Sequence, residues 1–263
     1  MSRLALNKVM IDTHTHLYSS DFDKDRDDVI LNAINSGVKK FFLPNIDLES
    51  IDGMHQLVKK FPNNCFQMMG LHPCSVDSNY KEVLSQMKTH LDNNKYIAVG
   101  EIGMDLYWDK TLKNEQADAL KIQVEWAKEM KLPIVIHVRD AFDELFEVLN
   151  PLNDDNLTGV FHCFTGNIEQ ANTALNYGGF KLGLGGVLTF KNSGLDKVVD
   201  QLDMQHFVLE TDSPYLAPKP FRGKRNESVY VNLVAEKLAS IKQISLEDVD
   251  KITTLNALEI FKL

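Results

Sequence analysis

Cysteine is scarce in this chain of 263 residues: Cys65, Cys74 and Cys163 make an odd three, with no C-x-x-C pair among them. That pattern excludes a disulfide-stapled scaffold or a zinc ribbon and fits a reducing compartment. Long apolar runs are missing too, and none approaches the roughly 18 residues needed to cross a bilayer. The opening "MSRLALNKVM" holds no apolar segment of signal-peptide length. A cytoplasmic protein with no membrane partner is therefore expected. Positive charge is in deficit, with 28 Lys and Arg against 37 Asp and Glu and a net charge of −9. A broad basic face that coats nucleic acid is thus disfavoured, whereas a local anion site built from a metal ion or a few arginines stays open. Gly/Ser linkers, low-complexity tracts and close internal repeats are absent as well.

What remains is an ordinary globular balance of 44% apolar and 25% charged residues. The length suits one domain over residues 1–263, close to the ~250 residues of a typical α/β barrel. Eight short β-branched or aromatic runs read as strands: "KVMID", "VKKFFLP", "CFQMMG", "YIAVGEIG", "LPIVIHV", "TGVFHCF", "GFKLGLG" and "HFVLETD". Amphipathic stretches separate them. "DKDRDDVILNAINSG" predicts a helix stopped by Gly37, and "NEQADALKIQVEWAKEMK" predicts another with Leu120, Val124 and Ala127 on its apolar face and Pro133 beyond it. The tail predicts two more helices, the second capped by Ser245. Alternation of this kind implies parallel pairing, and eight units close an α/β (β/α)8 TIM barrel. An open doubly wound sheet is the competing architecture. No G-x-G-x-x-G follows the first strand to support it, and Gly183, Gly185 and Gly186 mark a late strand end and loop. A lone barrel of this length is expected to be a monomer.

Six metal-capable side chains close these runs. His14 and His16 end the first, Glu101 follows "YIAVG", His137 ends "LPIVIH", His162 ends "TGVFH" and Asp212 follows "HFVLET". A barrel gathers the C-terminal ends of its strands at one mouth, so the six are expected to converge there. His14 and His16 are two apart and share a face of an extended strand. Imidazoles suit zinc and similar ions, and carboxylates extend tolerance to magnesium and manganese. Two ions need about this many ligands, with a carboxylate such as Glu101 free to bridge them. Any one of these residues alone is more often a satisfied polar group. The shared position of all six carries the reading, which reaches metal-assisted hydrolysis.

The segments "IDTHTHL", "GLHP", "VGEIGMD", "PIVIHVRDA", "FHCFTG", "LGGVLTFKN", "LETDSPYLAP" and "FRGKRNE" occur in an order that resembles the TatD family of metal-dependent deoxyribonucleases, within the amidohydrolase-like barrels. The likeness runs from residue 11 to residue 227. One departure stands out: Ser228 follows "RGKRNE" where the family pattern usually has proline, which is expected to loosen that loop. The resemblance implies one ion held by His14, His16, Glu101 and Asp212 and a second held by Glu101, His137 and His162. It also implies Asp212 as the base for the attacking water, with Glu101 as its catalytic companion, and DNA as the substrate, cut from strand ends. A different hydrolase of the amidohydrolase type, acting on a small ester, amide or lactone, is the alternative. Many of those use a carboxylated lysine as the bridge, whereas this chain offers Glu101 and His137. A metal-binding barrel without catalysis, serving a nucleic-acid-associated or chaperone-like role, is the third reading.

Other residues have two readings each. Arg139, two beyond His137, forks onto a phosphate or makes a rim salt bridge. His72 in "GLHP" contacts substrate or belongs to the core. Asp105 and Glu210 steady a ligand or serve as a loop cap and a buried paired acid. Tyr107 and Trp108 stack on a base or pack their own loop. Arg222, Lys224 and Arg225 form a substrate-steering basic edge or a solvated loop.

Overall fold

The computed structural model describes residues 9–263. Eight strands follow one another: β1 Met10–Asp12, β2 Val38–Leu43, β3 Cys65–Gln67, β4 Val99–Asp105, β5 Ile134–Arg139, β6 Gly159–Phe161, β7 Phe180–Leu184 and β8 Phe207–Leu209. Every ladder is parallel, in two arcs ordered β1-β2-β3 and β4-β5-β6-β7-β8. Backbone bonds close both gaps. Past β3, Met69 N–H donates to Ala98 O (3.2 Å) and Gly100 N–H to Met69 O (2.9 Å). Past β8, Thr13 N–H donates to Leu209 O (3.0 Å) and Asp212 N–H to His14 O (2.9 Å). The result is the expected TIM barrel, ringed by α1 Arg26–Asn35, α2 Ser50–Lys60, α3 Tyr80–Asn93, α4 Lys113–Met130, α5 Phe142–Leu149, α6 Ile168–Asn176, α7 Leu195–Asp200 and α8 Val231–Lys242. A last helix, α9 Leu246–Phe261, packs Ile260 and Phe261 onto the barrel interior. No described helix is long and apolar enough to cross a membrane.

The helix signals are local and hold. Gly37 adopts φ 99°, a conformation costly for other residues, just past α1. Leu120, Val124 and Ala127 of α4 are fully buried, and Ser245 Oγ accepts the Asp248 N–H at 3.0 Å to cap α9.

Side-chain alternation sorts the strands into two cores. Ile11, Phe42, Met68, Ala98, Val135, Val160 and Val208 form an apolar layer inside the ring, while their strand neighbours pack outward against the helices. Each of these side chains larger than Ala98 contributes roughly 1.5–3 kcal/mol on burial. Counting by two from that layer predicts what lies above it. Val135 leads to His137 and Arg139, Val160 to His162, and Val208 to Glu210 and Asp212.

The count fails at two strands, and the sequence expectation is corrected there. β1 ends at Asp12, so the His14 and His16 pair lies beyond the regular strand rather than in it. Glu101 lies within β4, not at its end, where the register with β5 shifts between Gly100 and Ile102. His72 is likewise five residues past the end of β3, at the head of a short 3-10 turn over Pro73–Ser75. At β1 and β3 the strand is shorter than its apolar run, whereas at β4 the shifted register puts Glu101 out of step.

Candidate metal centre

The off-count residues meet the on-count ones at one carboxylate. Glu101 Oε2 lies 3.1 Å from His14 Nε2 and 3.7 Å from His16 Nε2, and Asp212 Oδ1 lies 3.4 Å from His16 Nε2. Glu101 Oε1 lies 3.0 Å from His137 Nδ1, 3.2 Å from His162 Nε2 and 3.3 Å from His72 Nε2. All six side chains singled out in the sequence therefore come together, and His72 joins them. His14 and His162 stack with ring centroids 3.6 Å apart.

Partners on the far side of each ring decide which nitrogen offers a lone pair. The Tyr18 hydroxyl donates to Pro44 O, so its oxygen accepts from His16 Nδ1–H at 2.9 Å and leaves His16 Nε2 bare toward the centre. Glu210 Oε1 accepts from His162 Nδ1–H at 3.2 Å, leaving His162 Nε2 bare, and also accepts the Cys163 amide. Asp105 Oδ2 accepts from His137 Nε2–H at 2.9 Å, leaving Nδ1 bare. His72 is the reverse. Its Nδ1 accepts the Cys74 N–H at 3.1 Å, so the neutral ring carries its hydrogen on Nε2 and presents a donor. Geometry alone puts His72 in a possible ligand group with Glu101 and His137, but this tautomer argues for a proton donor.

Electrostatics agree with a cation site. Asp12, Glu101, Asp105, Glu210 and Asp212 are all buried at this end of the barrel. Unpaired charges in such a place are strongly disfavoured. Burial resists ionisation of Glu101, yet the facing His162, His72 and His14 hold its carboxyl well below the usual range. Burial likewise opposes the charge on Asp212, and the facing imidazoles of His16, His162 and His14 lower it. His162 and His137 rise above the ordinary imidazole value despite burial, His162 through Glu101 and Glu210, His137 through Asp105 and Glu101. Protons on these rings supply positive charge that a divalent cation would supply at the same atoms. Asp12 is pushed up to about 7 by burial, against the hydrogen bonds it accepts from Thr211. Within this cluster, His14 Nδ1 and Glu210 Oε2 are buried atoms with no hydrogen-bond partner. Mixed imidazole and carboxylate donors in this density fit a divalent ion. Among the described residues three groups have donor atoms mutually within 4.8 Å: His14/His16/Glu101, His72/Glu101/His137 and His14/His162/Glu210.

The centre lies in a cavity of about 620 Å³ whose lining includes His16, His72, Glu101, His137, His162 and Asp212. Among the described residues no lysine lines it, so a carboxylated-lysine bridge has no residue to form on. Cys163 also faces this cavity, but burial and the acids opposite push its thiol well above its usual range, which makes it a poor nucleophile. Arg139 lines the cavity, and among the described residues it makes no salt bridge. Arg222 and Arg225 do not line it. Arg222 covers the Phe190 ring at 4.3 Å. The Arg225 guanidinium holds Asp25 through two bonds of 2.8 and 2.7 Å, reaches Glu227 at 3.2 Å and covers Phe22. Its charge is already balanced by Asp25 and Glu227, so Arg225 serves the structure of this loop. Nor is the loop at Ser228 loosened: the side chain is buried and its hydroxyl donates to Thr15 Oγ1 at 3.3 Å. Tyr18 went unread in the sequence; an aromatic two residues after His16 is its only signal.

Comparison with known proteins agrees with this geometry. The chain matches the family described as TatD related DNase over residues 11–262. It is 35% identical to a Bacillus subtilis protein named uncharacterized metal-dependent hydrolase YabD, over 97% of this chain and 100% of that one. It is 28% identical to the 3'-5' ssDNA/RNA exonuclease TatD of Yersinia pseudotuberculosis, over 97% and 100% of the two chains. The crystal structure of the TatD homologue YJJV from Escherichia coli superposes with a TM-score of 0.90 at 28% identity, over 97% and 98%. With the family matched across nearly its whole length and the donor cluster in place, the chain belongs to the TatD family and is a metal-dependent hydrolase.

Proposed function

We propose that the protein is a deoxyribonuclease that hydrolyses DNA phosphodiester bonds from strand ends, using two divalent ions of magnesium, manganese or zinc. The observation that carries this reading is the division of one buried carboxylate, Oε2 facing His14 and His16 and Oε1 facing His137 and His162. His14, His16, Glu101 and Asp212 would hold one ion, and Glu101, His137 and His162 the other. Bound at such a site, divalent cations polarise a phosphoryl oxygen and make water more acidic. Asp212, kept ionised by its imidazole neighbours, accepts the proton of the attacking water. The water oxygen bonds to phosphorus, the P–O ester bond breaks, and the departing oxygen takes up a proton. The products are a phosphate monoester and an alcohol. His72 offers its Nε2–H to a substrate oxygen, and Arg139 offers its fork to a phosphate.

The family description and the exonuclease name of the Yersinia relative support nucleic acid as the substrate. The experiment is digestion of end-labelled single- and double-stranded DNA with and without divalent ions, with EDTA controls and the Asp212→Asn variant. Metal-dependent release of nucleotides from strand ends is expected. Inertness toward every oligonucleotide, with turnover of a lactone or cyclic amide, would reassign the substrate.

A further inference from the structure

We propose that Trp108, with Tyr107 and Arg139, forms a stacking subsite for an unpaired base beside the hydrolytic centre. The inference rests on the nucleic-acid reading above and names what part of a strand is recognised. Trp108 and Tyr107 are 71% and 51% exposed, unusual for rings in a folded chain, and Trp108 lines the same cavity as Glu101 and His137. Water-facing aromatic surface at the mouth of a catalytic cavity calls for an apolar, flat partner.

Arg139 adds the second half of the chemistry. Its guanidinium lies 3.7 Å from the Tyr107 centroid and 5.3 Å from that of Trp108. It is exposed, and among the described residues it makes no ion pair and no side-chain hydrogen bond. A cation without a carboxylate partner, in an acidic chain, fits an anionic ligand. Exposed rings beside such a cation fit a polyanion that carries π-faces, which describes a nucleic-acid strand with its bases unstacked. Tyr215, also exposed, lines the same cavity and offers a further ring. A second depression of about 440 Å³ flanks Arg139, but Asp140, Asp143 and Glu144 line it and would repel phosphates. The strand therefore runs on the Trp108 side.

The platform is fixed to the centre by one residue. Asp105 Oδ2 holds His137, while Oδ1 accepts the amides of Tyr107 at 3.0 Å and Trp108 at 3.3 Å. Leu106 N–H donates to Arg139 O at 3.0 Å, which binds the same loop to β5. Rings in a loop that only packs itself would not need an anchor shared with a residue of the metal centre. Stacking tolerates any base and either sugar, so unpaired DNA and unpaired RNA share the subsite, whereas a duplex keeps its bases from it.

The test uses the metal-loaded protein. Trp108→Ala should raise KM for unpaired DNA and RNA about 5- to 100-fold, with the loss falling on KM rather than kcat. Trp108→Phe should recover most of it. A phosphorothioate-linked strand that resists cleavage should quench Trp108 emission in a Trp126→Phe background, where Trp108 is the sole tryptophan. Replacing bases of that strand by abasic sites should weaken binding to the unsubstituted protein and leave binding to Trp108→Ala unchanged. If the unsubstituted protein cleaves oligonucleotides and Trp108→Ala does so with the same KM and the same response to abasic sites, the stacking subsite is wrong and the nuclease reading stands. If the unsubstituted protein cleaves no oligonucleotide, both fall. Equal Trp108 dependence for duplex and unpaired strands would also overturn the subsite.

Discussion

Glu210 and His162 sit 3.2 Å apart, Oε1 to Nδ1, and that single contact turns the other imidazole nitrogen toward Glu101. Glu210 also fills the space left by Gly183 on the neighbouring strand, where an added Cβ would come within 2.3 Å of its Oε2. Glu210→Gln keeps the shape but weakens the acceptor. Loss of such a partner typically lowers metal affinity about 10–100-fold. Competition with a chelating dye reads this directly, and unchanged affinity would show that His162 needs no orienting partner.

Proton and metal should compete at the centre. His137 and His162 are raised in the folded, metal-free protein, so at neutral pH an ion must displace protons from them. Apparent affinity should climb with pH by about tenfold per unit for each proton displaced. Titration calorimetry in buffers of different ionisation enthalpy counts those protons, and a count of zero would show that both rings are already neutral before the ion binds.

The same shifts set a stability profile for the metal-free protein. Groups raised on folding stabilise fully below their unfolded value, about 6.5 for histidine, and that contribution is lost as pH rises through the folded value. Glu101 and Asp212 are lowered, so their contribution is present above about pH 4.5 and is lost as pH falls through the folded values. Melting temperature without metal should therefore decline above about pH 6.5. Added divalent ion should restore it most strongly there. A flat Tm from pH 6 to 9 would count against the histidine assignments.

Asp212→Asn removes the proposed base while keeping the side chain's size. A fall of about 10²–10⁴ in kcat is expected. Metal content measured by elemental analysis separates lost chemistry from lost ligation. Activity close to that of the unsubstituted protein would remove Asp212 from the mechanism.

Arg225 and Asp25 give a prediction about the fold. The Arg225 fork holds the Asp25 carboxyl below its ordinary value, so its stabilisation is present above about pH 3.9 and fades as pH falls through the lowered value. Asp25→Asn should melt earlier at pH 7, and the gap should close in acid. A gap that persists at low pH would mean the pair contributes through packing alone.

How much of this was legible beforehand depends on where the information lay. Apolar runs with polar ends exposed the eight strands and brought His137, His162 and Asp212 to the mouth, because a two-residue pleat carries an inward face forward. His14 and Glu101 also read as strand ends, but the break after Asp12 and the shifted register at Gly100 cannot be counted from sequence. The orienting partners were harder. Glu210 and Asp105 had two readings each, and only the rings they touch, 48 and 32 residues away in sequence, decide between them. Arg225 misled because a run of basic residues looks the same whether its charges face solvent or a nearby Asp25.

One feature of the barrel has a temporal side. The Asp12 carboxylate accepts both the amide and the hydroxyl of Thr211, 199 positions later in the chain, and His14 and Asp212 stand immediately beyond this latch. During synthesis the ribosome releases one half of the clasp long before the other exists. Until the eighth strand docks, the first two imidazoles lack their opposing acid, so a growing or truncated chain is chemically disarmed.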